Sequence, residues 1–492
     1  MKRTQLVTLM GLLLVAMLLA TPVLAAAPDA DPDPGTGSAD VTVMNTDAST
    51  ASVTAEYYNQ NGTLANQRTL SLNGLGSAQF KASESGLPGN WKGSMILSST
   101  TEVASIATIH WIGNPVGDGI EADSYSGFSS GSTRMNLPFV VYAPNAQYTM
   151  FAVQNTGTIA ANITMKYYNR DGGLDFTKAD TIPTNGQASY DMHTPGAKVP
   201  VWSDAPFYTS KGYWGGAVVI ETTSSTVAVV ANNFWPAYSV AYNASSAGGR
   251  KLFVPSVERR LLNGGATAPE QLGFSVITVQ NLGSGPTNLT FTFISGKTQT
   301  VDATIPVLNV APGAAIACNT RIGAPQCDPT LVASLGDTWV GSVVIESSSE
   351  DVAAISFTMR VRDGEGVSTT AVFASNAGAS TFLPEVYQVG SGSAWTVWSL
   401  LRLQNVSSSD ANGVQVRFLN RDGSEIMAAR QTVDIGAGKS KNYNLRYESP
   451  FAPLGGNWSG SVQIVSPQPP LSAVVENLWD VREMAAYNGY SR

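Results

Sequence analysis

From about residue 39 onward the chain is written in short runs where apolar and polar residues alternate, separated by clusters of turn-forming residues. Four runs show it most plainly: Val53/Ala55/Tyr57, Ile163/Met165/Tyr167, Leu289/Phe291/Phe293 and Val414/Val416/Phe418. Between them stand Thr54 and Glu56, Thr164 and Lys166, Thr290 and Thr292, and Gln415 and Arg417. Successive side chains of a strand point to opposite faces, so each run predicts a strand with one buried face. No stretch of the mature chain carries a helical period.

The four runs are copies of one another. Each follows a similar mark: Val43-Met44-Asn45, Val153-Gln154-Asn155, Val279-Gln280-Asn281 and Leu403-Gln404-Asn405. Three end in a turn, Asn59-Gln60-Asn61-Gly62, Asn169-Arg170-Asp171-Gly172 or Asn420-Arg421-Asp422-Gly423, and the third copy has Ser295-Gly296 instead. Gly supplies a positive φ and Asn or Asp bonds to its own backbone, so these are expected to be hairpin loops. Every copy then carries Trp-x-Gly-Ser/Ala ahead of another apolar strand, with Trp91, Trp214, Trp339 and Trp458 spaced 119–125 residues apart.

Each unit holds roughly seven short strands, enough for two antiparallel sheets packed face to face. The expected fold is all-β, a tandem array of about four immunoglobulin-like β-sandwich modules after a signal peptide. The expected division is 1–25 signal peptide, 26–38 acidic Pro-rich leader, and sandwiches over 39–128, 137–245, 252–375 and 382–492. A short strand-like tag opens the last three units: Leu137-Pro138-Phe139-Val140, Val254-Pro255-Ser256-Val257 and Leu383-Pro384-Glu385-Val386. Unit one has none. A tag that completes a sheet would leave one body with an open edge, available for strand exchange. The simpler reading, and the expectation, is that unit one is degenerate or that these segments are merely linkers.

The ordered set of Gln-Asn, alternating strand, Asn-x-Asp-Gly turn and later Trp-x-Gly-Ser resembles bacterial extracellular immunoglobulin-like repeats, nearest to cell-adhesion-related bacterial surface domains. The resemblance covers all four units. It implies extracellular structural or adhesive work and carries over no catalytic residue. The third unit departs from it by losing the turn and gaining a Cys-containing insertion.

The start of the chain agrees with an exported protein. Met1-Lys2-Arg3 precedes the apolar run Leu6–Ala20, and small residues follow Pro22, which reads as a secretory signal cut after Ala25. No later segment is apolar for long enough to span a bilayer. In that compartment Cys318 and Cys327, the two cysteines of the chain, are expected to form a disulfide.

Composition narrows the function. Charged residues make up 13% of the 492 and the net charge is −8, which leaves no electrostatic footprint for nucleic acid. The two histidines, His110 and His193, lie in different units without a nucleophile or zinc motif around them. The Asn-x-Asp-Gly turns lack the alternating acids of a calcium loop. Asp118, Glu121 and Asp123 could gather around a cation, but a solvated acidic loop is the expectation. Trp111, Trp235 and Trp479 occupy matched places, where core or inter-module packing is expected ahead of a sugar-stacking platform. No catalytic, cofactor-binding or metal site is therefore expected. The chain reads as a secreted, non-enzymatic structural protein of the cell surface or extracellular matrix, associating with itself or other envelope proteins and able to form filaments or a layer. The alternative is an adhesin or carbohydrate-binding array that takes glycans.

Overall fold

Four sandwich modules follow one another in the order of the repeats. The computed structural model of the chain describes residues 32, 35–113, 120–235, 238–261, 273–323, 326–359, 366–370, 372–373, 377–391, 394–446, 448–468, 470–479 and 483–492. The signal segment, nearly all of residues 26–34 and Asp118 lie outside them. The first strand, Thr36–Asn45, begins inside the stretch read as leader, because residues 36–44 pair continuously with 104–112.

Module 1 consists of two antiparallel sheets. One holds Ser77–Phe80, Thr36–Asn45, Val103–Ile112 and Ile120–Ser126 in that order, and the other holds Leu64–Leu72, Ala51–Asn59 and Gly93–Ser99. In each later module one further strand joins the two layers into a single continuous sheet: Arg134–Ala143, Lys251–Arg260 or Ser380–Ser391. These strands contain the tags, so the expectation that the tags are linkers is corrected. Each pairs antiparallel with the strand carrying the Gly of Trp-x-Gly, in one register: Leu137 opposite Val218, Val254 opposite Val343, Leu383 opposite Val462. Val140, Val257 and Val386 lie opposite Gly216, Gly341 and Gly460. Proline has no N–H to give a ladder, and in all three strands the register shifts at Pro138, Pro255 or Pro384. Leu137, Val140, Val254, Val257, Leu383 and Val386 are all fully buried in the module cores.

The repeated Asn is the internal clamp of each module. Asn45, Asn155, Asn281 and Asn405 are all fully buried. The Nδ2 of Asn155 donates to the carbonyls of Ile159 (2.7 Å) and Ile182 (3.0 Å), and that of Asn405 to Ser409 (2.7 Å) and Ile435 (3.0 Å). Asn45 and Asn281 repeat the pattern on Ser49 and Asn73, and on Gly285 and Val310. One side-chain amide thus ties the carbonyl of the turn just after it to a carbonyl at or just beyond the end of another strand.

The modules close into a ring. The inner strands Ile120–Ser126, Tyr238–Asn243, Gly366–Thr370 and Glu483–Asn488 each lie against the next, and the fourth lies against the first. The hairpin of one module also docks on a loop of the next. The backbone N–H of Gln187 donates to the carbonyl of Gln60, that of Ala315 to Arg170, and that of Ser77 to Arg421. Gly62, Gly172 and Gly423 adopt φ of 83°, 94° and 88°. A Cβ on them would stand 2.1 Å from Thr184 O, 2.4 Å from Pro312 O and 2.1 Å from Gly74 O. The glycine is therefore required twice, for the turn and for the neighbour's backbone. Module 3, which lacks the turn, docks through Gln299 Nε2 on the Ser440 carbonyl.

The disulfide joins Cys318 and Cys327 and sits in the core of module 3. No helix among the described residues is long and apolar enough to cross a membrane.

Candidate functional site

Four buried acidic side chains, Asp123, Glu258, Glu385 and Glu476, lie at the junctions between modules. At the junction of modules 3 and 4, Arg402 reaches Glu258 Oε1 (3.0 Å) and Glu476 Oε1 (3.3 Å), while Arg260 holds Glu258 Oε2 at 2.6 Å. The side chains of Glu258, Glu476 and Arg402 are 0%, 1% and 7% exposed, so both carboxylates depend on these partners for solvation. Ser256, in the tag strand of module 3, donates to Glu476 at 2.5 Å.

Where module 4 meets module 1, Glu385 of the tag strand is buried and accepts from Thr108 Oγ1 and Gln79 Nε2, both at 2.9 Å, and from the Tyr387 hydroxyl. His110 Nδ1 lies 2.9 Å from Glu483, and its ring stands edge-on to Trp479 at 5.3 Å. The hydrogen bond to Glu483 raises the His110 pKa above its ordinary value, outweighing burial. The junction of modules 2 and 3 is aromatic: Phe139 of the tag strand packs on Phe357 at 4.9 Å, and Trp235 on the same ring at 6.1 Å.

Modules 1 and 2 meet around Asp123. Its Oδ2 accepts from Trp111 Nε1 (2.7 Å), Ser239 Oγ (2.8 Å) and Asn232 Nδ2 (3.3 Å). Burial raises its pKa to about 6 in spite of these donors. Glu121 and Asp123 are buried on a strand, which corrects the expectation of a solvated acidic loop. Part of the reason lies in the next module, whose Ser239 and Asn232 add donors to the one that Trp111 supplies.

Trp111, Trp235 and Trp479 therefore do one job, each packing on an aromatic ring of the following module: Phe234, Phe357 and His110. Trp91, Trp214 and Trp339 belong to the cores, with Nε1 donating to Asn59, Asp175 and Asp302. None of these positions forms an exposed aromatic platform.

The remaining sequence candidates stay apart. His193 lies against the Tyr148 ring in module 2. Asn169–Gly172 and Asn420–Gly423 close as hairpins, Gly172 N–H donating to Asn169 O and Gly423 N–H to Asn420 O, both at 2.9 Å. Among the described residues no group of three or more His, Cys, Asp or Glu is placed to hold a metal ion. A depression of about 610 Å³ on the outer strands of module 2 contains Lys166 and Glu221, which pair with each other at 2.7 Å. Sequence reasoning missed Glu258, Arg402, Glu476 and Glu385, and its one signal for the junctions was the matched tryptophans. No protein-family model and no curated protein matches the chain.

Proposed function

We propose that the chain is a secreted, non-enzymatic structural protein of the cell surface or extracellular matrix, related to bacterial extracellular immunoglobulin-like repeats. Its ring presents sandwich faces at fixed spacing, and copies of it associate with one another or with other envelope proteins. The observation that carries this reading is the closed ring itself: buried polar and aromatic contacts link every module to both neighbours, as a scaffold requires and a flexible tether does not. The disulfide agrees with an oxidising compartment. The alternative, a carbohydrate-binding array, draws no support from the repeated tryptophans, because Trp111, Trp235 and Trp479 face neighbouring modules.

Light scattering combined with negative-stain microscopy on the chain from Ala26 onward tests the reading. Oligomers, filaments or sheets that grow with concentration are the expected result. A monodisperse ring at every concentration, together with saturable binding in a glycan screen, would overturn it in favour of adhesion.

A further inference from the structure

Three of the four modules contain a tag strand, and no strand among the described residues occupies the equivalent slot of module 1. The strand that would receive it is Gly93–Ser99. Its inner edge pairs with Ala51–Asn59, and no strand among the described residues pairs with its outer edge. Thr100 N–H donates inward to Ser52, so by alternation the N–H and C=O groups of Ser99, Leu97, Met95 and Gly93 face outward. In module 2 the equivalent of Ser99, Thr222, donates to Thr133 at the start of the tag strand.

The side chains show the same vacancy. Met95 and Leu97 are half-buried, whereas their equivalents Val218 and Ile220, Val343 and Ile345, and Val462 and Ile464 are at most 1% exposed. Each tag strand also lies against the module that follows, as the contacts of Phe139, Ser256 and Glu385 demonstrate. Across the empty slot the facing residues of module 2, Ala152, Gln154 and Val230, are half-exposed. Their equivalents at the other three junctions are buried, Thr278, Gln280 and Ile355 among them.

A hydroxyl marks the same place. Tyr242 Oη donates to the Phe139 carbonyl (2.5 Å) and Tyr487 Oη to the Glu385 carbonyl (2.7 Å), in each case the tag residue that follows proline. Tyr125 is their equivalent in module 1, and its hydroxyl has no hydrogen-bond partner among the described residues.

We infer that the outer edge of Gly93–Ser99 accepts an extended strand donated by another polypeptide, lying antiparallel between modules 1 and 2 and carrying a branched apolar residue, proline, one variable residue and valine in succession. The three filled slots define that chemistry: Leu or Val opposite Met95, proline at the shift of register, Val opposite Gly93. The chain's own leader does not furnish it, because residues 26–34 are all Ala, Asp or Pro. Thr21-Pro22-Val23-Leu24 has similar letters but precedes the expected cut after Ala25. The tags of a second copy already fill that copy's own slots. The donor is therefore a different chain, bound by strand addition.

The test uses the chain from Ala26 onward and a synthetic peptide with the sequence of residues 134–143. Saturable binding is expected, with new amide-exchange protection over residues 93–99. A peptide carrying Leu137→Asp and Val140→Asp should bind at least about tenfold more weakly. Tyr125→Phe should weaken binding about fivefold without changing the melting temperature of the free protein, because only the complex uses the hydroxyl. A variant with residues 134–143 fused ahead of Thr36 through a Gly-Ser linker should melt higher and no longer bind the peptide.

Absence of saturable binding, or binding that leaves residues 93–99 unprotected or survives in the fused variant, would overturn the inference. So would an exported protein whose N-terminal sequencing finds residues 19–25 retained and whose strand edge is already protected. The inference stands apart from self-assembly: a chain that stays monomeric yet binds the peptide at this edge refutes the assembly reading and keeps this one.

Discussion

Replacing Arg402 with methionine should release the junction between modules 3 and 4. The guanidinium sits between two carboxylates that water does not reach, 3.0 Å from Glu258 and 3.3 Å from Glu476. Methionine retains the volume of the stem but neither the charge nor the donors. Glu258 keeps Arg260 at 2.6 Å and Glu476 keeps the Ser256 hydroxyl, but each carboxylate loses the guanidinium the two of them share. Breaking a buried pair by removing one partner costs about 3–5 kcal/mol, because the surviving charge stays buried. Adding Glu476→Gln removes that charge, and about 2 kcal/mol should return. Denaturant titration measures the loss, and amide exchange places it on Lys251–Arg260 and Ala394–Asn405. An Arg402→Met protein within about 1 kcal/mol of the parent, with no gain from Glu476→Gln, would show that the cluster is not held by uncompensated burial.

Other consequences can be checked separately. Gly423→Ala should speed exchange in residues 74–77, because its Cβ meets the Gly74 carbonyl at 2.1 Å; Gly212→Ala, left-handed with open space around it, should cost only about 1 kcal/mol of backbone strain. Asn155→Ala removes the clamp of module 2 and should destabilise it by about 2–4 kcal/mol in denaturant titration, well beyond the exposed Asn162→Ala. Reducing Cys318–Cys327 should lower the stability of module 3 by about 2–3 kcal/mol, read by calorimetry, since it opens a loop of about ten residues. The two junctions of module 1 should loosen as pH rises. Asp123 (normally 3.8) and His110 (normally 6.5) are both raised in the folded chain, so each stabilises fully below its ordinary value and loses that contribution as pH climbs through its folded one, about 6 for Asp123. Amide exchange of Ile120–Ser126, corrected for intrinsic rates, should show less protection at pH 8 than at pH 5; a slope unchanged in an Asp123→Asn, His110→Gln double variant would sink this.

The strands and their turns were legible because they depend on neighbours a few residues away. Period two marks Ala161–Asn169, a positive φ at Gly172 marks its hairpin, and the nine-residue spacing suits a disulfide between Cys318 and Cys327. The ring was not legible, since its contacts join residues about ninety to several hundred positions apart. Arg402 stands at an alternating polar position of its strand, which from sequence alone implies water. Its outward face is instead covered by the tag strand of module 3. The same confusion applied to Asp123, whose donors Asn232 and Ser239 follow it by 109 and 116 positions. The structure shows the consequence in Val352–Met359, where all eight residues are buried: a strand without an exposed alternate face is covered on both sides. The tags were misjudged because Pro138, Pro255 and Pro384 argue against a paired strand unless a register shift absorbs them.

The low charge content also changes meaning once the ring is known. A chain with 13% charged residues suggests faces meant to associate, yet much of that association is completed within the chain. Each module covers one flank with the preceding module and the other with the next, and even the polar groups Glu385, Arg402 and Asp123 are spent on neighbours. Composition alone is then weak support for assembly between copies. A partner is called for by the junction of modules 1 and 2 instead. Three equivalent slots are filled in one register, and the fourth keeps a strand edge, two half-buried apolar side chains and a tyrosine hydroxyl without counterparts among the described residues. Open edges pair with whatever extended chain fits them. If the ring contacts another polypeptide by design, the junction of modules 1 and 2 is where its geometry asks for one.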